Sequence, residues 1–139
     1  MADDPKALAR RFYDEVINGK NMAVLDELVD DSLVEHQEMP GIPPGKEGVR
    51  AFFALFHGAF PDLHAEIEGI VSEGDEVWVY AVMTGTHQGE FLGIPATGKQ
   101  ISVTMVDRVR VRDGKAVEHW GVSDDLGMLT QLGVVPEMG

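Results

Sequence analysis

The spacing of apolar residues changes period once along the chain. Leu8, Phe12 and Val16 recur at four-residue intervals with Ala9 and Tyr13 beside them, which predicts a helix with one apolar face over 5–18. Asp4 before Pro5 starts it, because Asp caps orphan amides and Pro is preset for the first turn, and Asn18-Gly19 stops it. Leu25, Leu28 and Val29 predict a second, short helix over 22–29 behind an Asn21 cap. The third, over 46–60, carries Val49, Phe52, Phe53, Phe56 and Phe60 and ends at Pro61. Beyond Pro61 the period is two. Leu63, Ala65, Ile67, Gly69 and Val71 alternate with His64, Glu66 and Glu68, the signature of a strand with one wet face. Further strands are expected over 76–86, apolar on both sides and hence central, over 100–112, and over 115–123. Asp124 or Asp125 then caps a short helix ending near Gly133.

Between these elements, Met39-Pro40-Gly41-Ile42-Pro43-Pro44-Gly45 reads as a loop, since its prolines lack donors and its glycines favour turns. The glycine-rich stretch from Gly85 to Gly93 reads as a flexible rim loop. Three helices followed by four antiparallel strands make a single α+β domain over 1–139, with helices covering one face of a curved sheet.

Composition narrows the function. The chain has 139 residues, no cysteine and a formal charge of −13. The size suits one domain with one core, and the missing cysteines exclude disulfide scaffolds, thiolate metal sites and a Cys nucleophile. So negative a field repels nucleic acid and anionic lipid. The acidic start Met1-Ala2-Asp3-Asp4 lacks a signal-peptide pattern and no apolar run approaches a membrane span, so a soluble, cytoplasmic protein is expected.

Chemistry concentrates on the hairpin around Asp113-Gly114. Ile101, Val103, Met105, Val109 and Val111 share one strand face, and Asp107 is the single charge among them, a placement that calls for a partner. A two-residue loop at Asp113-Gly114 would set Asp107 opposite Trp120 and Val109 opposite Glu118. A three-residue loop, Arg112-Asp113-Gly114, would set Val109 opposite Val117, Arg108 opposite Glu118, Asp107 opposite His119 and Met105 opposite Gly121. The second matches apolar with apolar and charge with opposite charge, and is the register expected.

An Asp beside a His on an apolar sheet face can fix the imidazole tautomer and support general acid or base catalysis, such as proton removal next to a carbonyl. A self-satisfied structural pair is the competing interpretation. His36 is a candidate third polar group, and the Phe stripe of the third helix is core that can also wall a pocket. The five histidines, His36, His57, His64, His87 and His119, lack paired metal spacing, so no metal site is expected. Neither a nucleophile elbow nor a phosphate loop is present in the sequence. Arg108, Arg110 and Arg112 form a basic stripe on the opposite strand face, expected to be solvated or intersubunit and paired with acids such as Glu118.

The element order, the pattern Thr86-His87-x-Gly89-x-x-x-Gly93-x-Pro95-x-Thr97-Gly98, Asp113-Gly114-Lys115 with Glu118-His119-Trp120, and the ending Gln131-Leu132-Gly133 resemble the SnoaL-like polyketide cyclases over nearly the whole chain. That resemblance implies the cone-shaped fold of nuclear transport factor two, a homodimer or homotetramer, and a cofactor-free intramolecular aldol closure of a polyketide ester by an aspartate acid/base. The family's aspartate stands directly after the position of Trp120, where this chain has Gly121. A family histidine corresponds to Asp107 and its neighbouring glutamine to Met105, while His119 and Asp124 match the pattern. Asp124 is read chiefly as a helix cap. His36 falls beside a pocket asparagine, and Phe12, Val16 and Phe52 lie near pocket-wall positions.

Two functions follow as expectations. The first is a cyclase-type enzyme acting on a hydrophobic ketone or ester, with Asp107 and His119 catalytic and Phe12, Val16, His36, Phe52, Phe56, Met105 and Gly121 around the ligand. The second is a non-catalytic domain that binds a small apolar molecule or serves in assembly.

Overall fold

The computed structural model describes residues 4–37, 39 and 41–134; the expected N-terminal residues Met1 to Asp3 and Pro40 of the loop lie outside them. Helix α1 (Pro5–Arg11) starts at Asp4, whose carboxylate accepts from the Lys6 amide, and runs on as a π-helical stretch, Phe12–Asn18. A 3₁₀ turn (Met22–Val24) leads into the single turn α2 (Leu25–Leu28), and α3 spans Gly45–Ala59. The strands are β1 (Val29–Glu35), β2 (His64–Glu73), β3 (Glu76–Thr86), β4 (Gln100–Arg112) and β5 (Lys115–Ser123). They form one sheet in the order β1-β5-β4-β3-β2, and α4 (Asp125–Leu132) closes the described chain. Asp124 caps α4 by accepting from the Gly127 amide, and Gly133 ends it at φ 79°.

The α+β arrangement is as expected, with one strand more. β1 replaces the end of the second helix and pairs with β5 in parallel, against the expectation of four antiparallel strands. Its sequence hides it: Asp30, Asp31 and Ser32 interrupt any alternation, and the register against β5 jumps between Val29 and Val34. The order also makes β4 the central strand, with β3 next to it. In β2 a bulge between Ile67 and Gly69 reverses the alternation, so Ile70 packs inward and Val71, expected on the core face, is 63% exposed.

The segment after β3 is a packed structure, contrary to the flexible loop expected. His87 and Phe91 are buried, His87 exchanges backbone hydrogen bonds with Lys99 and Gly98, and the Gln88 and Gly89 amides both bond the Ala59 carbonyl at the end of α3. Gly89 lies so close to the Gly58 carbonyl that no side chain fits there.

The helices bury their apolar sides on one sheet face. Phe53, Phe56, Ala59 and Phe60 of α3 and its end meet Tyr13, Val16 and Ile17, and Val77, Val79, Ala81, Val103 and Val111 of the sheet complete the core. Phe52, Phe53, Phe56, Phe60 and Phe91 make successive ring contacts at centroid distances of 4.6–6.1 Å, which adds directional packing to the area buried.

Candidate active site

The hairpin between β4 and β5 has a register that neither simple loop gives. Asp113 and Gly114, at φ 53° and 76°, form a two-residue turn with Arg112 opposite Lys115. One extra residue then enters β5 between the Val111–Ala116 and Arg110–Glu118 pairs. Val109 therefore faces His119, Arg108 faces Trp120, Asp107 faces Gly121 and Met105 faces Ser123, correcting the three-residue loop and all four pairings expected from it. The bulged register is supported on the outer face, where Arg110 bonds Glu118 at 2.6 Å and the Arg108 guanidinium, paired with Glu76, lies 3.9 Å from the centre of the Trp120 ring.

Asp107 and His119 still meet, as diagonal neighbours on the inner face. His119 Nε2 is 2.8 Å from Asp107 Oδ1, and His119 Nδ1 is 2.5 Å from Glu35 Oε2 on β1. The Tyr13 hydroxyl donates to the other oxygen of Asp107. Tyr13, Asp107, His119 and Glu35 thus form one chain of hydrogen bonds crossing from the first helix to the sheet edge strand.

Burial is the largest influence on the His119 imidazole and lowers its pKa; the hydrogen bonds and charges of Asp107 and Glu35 together outweigh it and raise the value to about 10. At neutral pH the ring is a cation between two carboxylates. Burial, reinforced by the charge of Asp107 and the hydrogen bond to it, pushes the Tyr13 phenol well above the ordinary tyrosine range, so it remains a neutral donor.

These groups line one end of a cavity of about 150 Å³ whose surface is otherwise mostly apolar. Phe12, Phe52, Phe53 and Phe56 wall it, Met105 lies on its floor, and Met39, Ile42 and Pro43 reach it from the loop before α3. Of the residues expected at the site, Asp107, His119, Phe12, Phe52, Phe56 and Met105 line this cavity together. Val16 does not, being wholly buried on the helix behind the wall. His36 does not either: it sits on the outer sheet face, stacked on Trp120 and bonded to Glu118 at 2.7 Å, because its neighbours Glu35 and Gln37 take the inner positions of an extended chain. Gly121, also expected around the ligand, does not line the cavity: it lies opposite Asp107 with the Gln37 side chain over it.

Tyr13, Glu35 and Gln37 are polar lining residues that the sequence reading missed. A buried Tyr on a helix needs a partner for its hydroxyl, which is a usable signal for Tyr13. Leu33, Glu35 and Gln37 share a two-residue period, legible only once β1 is recognised. Among the described residues no group of three or more His, Cys, Asp or Glu is arranged to hold a metal ion, and no helix is long and apolar enough to cross a membrane.

The model of the SnoaL-like polyketide cyclases matches residues 7–132. The aklanonic acid methyl ester cyclase DnrD of Streptomyces peucetius is 32% identical over 135 residues, 91% of this chain and 88% of that protein. The corresponding cyclase DauD of Streptomyces sp. (strain C5) is 31% identical over 134 residues, covering 91% and 80%. Among solved structures, wild-type IdmH from Streptomyces antibioticus is 37% identical with a TM-score of 0.81, covering 94% of this chain and 99% of that one. TsrD from Streptomyces laurentii is 29% identical with a TM-score of 0.84, covering 94% and 95%.

Proposed function

The chain belongs to the SnoaL-like polyketide cyclase family, and from that premise we propose that it closes a ring in a hydrophobic polyketide keto ester by an intramolecular aldol addition. Asp107 is the base. It removes a proton from the carbon between ketone and ester; the resulting carbon nucleophile adds to a second carbonyl of the same molecule, and the proton returns to the new alkoxide oxygen. Substrate and product are isomers, so the reaction needs no redox partner and no cofactor.

The observation that carries this reading is a carboxyl group bonded by two donors in a mostly apolar cavity. Tyr13 and the His119 cation each occupy one lone pair of Asp107, and an ionised carboxylate has further lone pairs free to receive a proton. His119, fixed by Glu35, positions Asp107. Phe12, Phe52, Phe56 and Met105 supply apolar contact for the ring system. In this reading Asp107 and His119 do the work of the aspartate that stands at position 121 in the family.

The aklanonic acid methyl ester on which DnrD and DauD are named to act is the first probe to try. Ring closure, or exchange of its acidic C–H for deuterium, should be fast with the native protein and fall to the buffer rate in Asp107→Asn. Gly121 favours the second reading, a pocket without catalysis; tight binding of the probe with no exchange would establish it. We place the subunit contact of a dimer on the outer sheet face, where Trp78 and Tyr80 are 46% and 47% exposed beside the Arg108 stripe.

A further inference from the structure

Gly121 leaves a volume that another residue fills. A side chain built at position 121 would overlap the Gln37 Oε1, approach Gln37 Cδ at 2.8 Å and approach His119 Cε1 at 3.0 Å. The Gln37 amide therefore lies over the Gly121 backbone, next to the His119 ring and across the strand pair from Asp107. It also lines the cavity. The backbone brings it there: the His36 amide bonds the His119 carbonyl at 2.9 Å, which continues the β1 pairing one residue past the strand and directs the next side chain inward.

The other polar groups at this end of the cavity are committed to one another. Tyr13 donates to Asp107, and His119 is held between Asp107 and Glu35. None of those bonds involves the Gln37 amide. Two of the four committed groups are carboxylates, which repel a developing oxyanion, and the cationic ring spends both of its N–H groups on them. The amide of Gln37 brings two N–H donors with no charge of their own.

We propose that Gln37 is the substrate-binding donor of this site, its side-chain N–H holding the ketone oxygen of the keto ester while Asp107 takes the adjacent C–H proton. When that proton leaves, the electron pair of the C–H bond is delocalised onto the oxygen held by Gln37, and it returns to carbon as the new C–C bond forms. A preplaced donor aimed at a developing oxyanion is worth about a hundredfold or more in rate. Gly121 is then a requirement of the arrangement, because even a methyl group there displaces the amide. The assignment rests on the keto ester reading above, and its test separates the two.

The probe is methyl 3-oxo-3-(2-naphthyl)propanoate labelled with carbon-13 at the ketone, an aromatic keto ester that cannot cyclise. Isotope-edited infrared spectroscopy of the bound probe reads the ketone stretch without any turnover. A shift to lower frequency on binding is expected for the native protein and for Asp107→Asn, and its loss is expected in Gln37→Leu and Gly121→Ala. Deuterium exchange at the carbon between the carbonyls, measured in parallel, should fall about a hundredfold in Gln37→Leu and to the buffer rate in Asp107→Asn. An unchanged stretch in Gln37→Leu overturns the role of the amide, whatever the exchange rate. A Gln37-dependent shift with no exchange in the native protein upholds the amide and overturns the catalytic role of Asp107. Failure of the native protein to take up the probe overturns both.

Discussion

The Tyr13 hydroxyl donates to Asp107, so one hydrogen bond ties a residue of the first helix to a residue of the central strand 94 positions away. Tyr13 sits at the second residue of the π-helical stretch, a conformation that is rare and concentrated where function constrains the backbone. Its replacement by Phe keeps the ring and removes the donor. Tyr13→Phe should cost about 1.5–3 kcal/mol in urea denaturation, the usual worth of a hydrogen bond to a carboxylate.

His119 links stability to pH. Its pKa is raised in the folded state to about 10 from 6.5 in the unfolded chain, so the folded protein binds the proton more tightly. That contribution is complete below about pH 6.5 and is lost as pH rises through about 10. Melting temperature should decline across this window, and His119→Gln should flatten the decline. At the other extreme, Asp62 and Asp30 are held below the usual carboxylate range by hydrogen bonds from Thr86 and Ser32. Their contribution is present above about pH 4 and disappears on acidification, so stability should peak between the two limits.

Removing Asp107 leaves His119 with Glu35 alone. In Asp107→Asn the imidazole pKa should fall, because one of the two carboxylates that hold it up is gone. Nitrogen-15 NMR of the histidine rings reads this directly, whether or not the protein turns over a substrate. Catalysis by the same variant should drop by at least about a hundredfold.

The outer sheet face yields a separate test. If two copies meet there, a charge in the apolar patch should split them while leaving the cavity intact. Tyr80→Lys is expected to sediment as a monomer and to retain deuterium exchange with the keto ester probe. A native protein that is already monomeric at the same concentration would remove the outer face from the assembly.

Periodicity made much of the architecture legible. The third helix, β3, β4, β5 and α4 lie within a residue or two of where apolar spacing and capping residues put them. What escaped was each place where the backbone departs from a fixed period: the polar run in β1, the bulge in β2 and the extra residue in β5. The site followed the same rule. Asp107 was visible because it interrupts a regular apolar face, whereas Glu35 and Gln37 were hidden in a strand without alternation. Matching cross-strand pairs by polarity misplaced the hairpin, since it gave no weight to Arg108 resting on Trp120.

The extra residue in β5 acts as a frameshift in a code of two letters, inside and outside. Upstream of it, Ala116 faces the core; downstream, His119 faces the cavity and Gly121 lies on the same inner side beneath Gln37, while Glu118 and Trp120 face out. A deletion at Val117 would transpose the whole segment, sending Trp120 into the cavity and His119 to the surface. The acid–base pair and the aromatic surface that holds Arg108 are therefore inherited together, and one cannot be edited by length without exchanging it for the other.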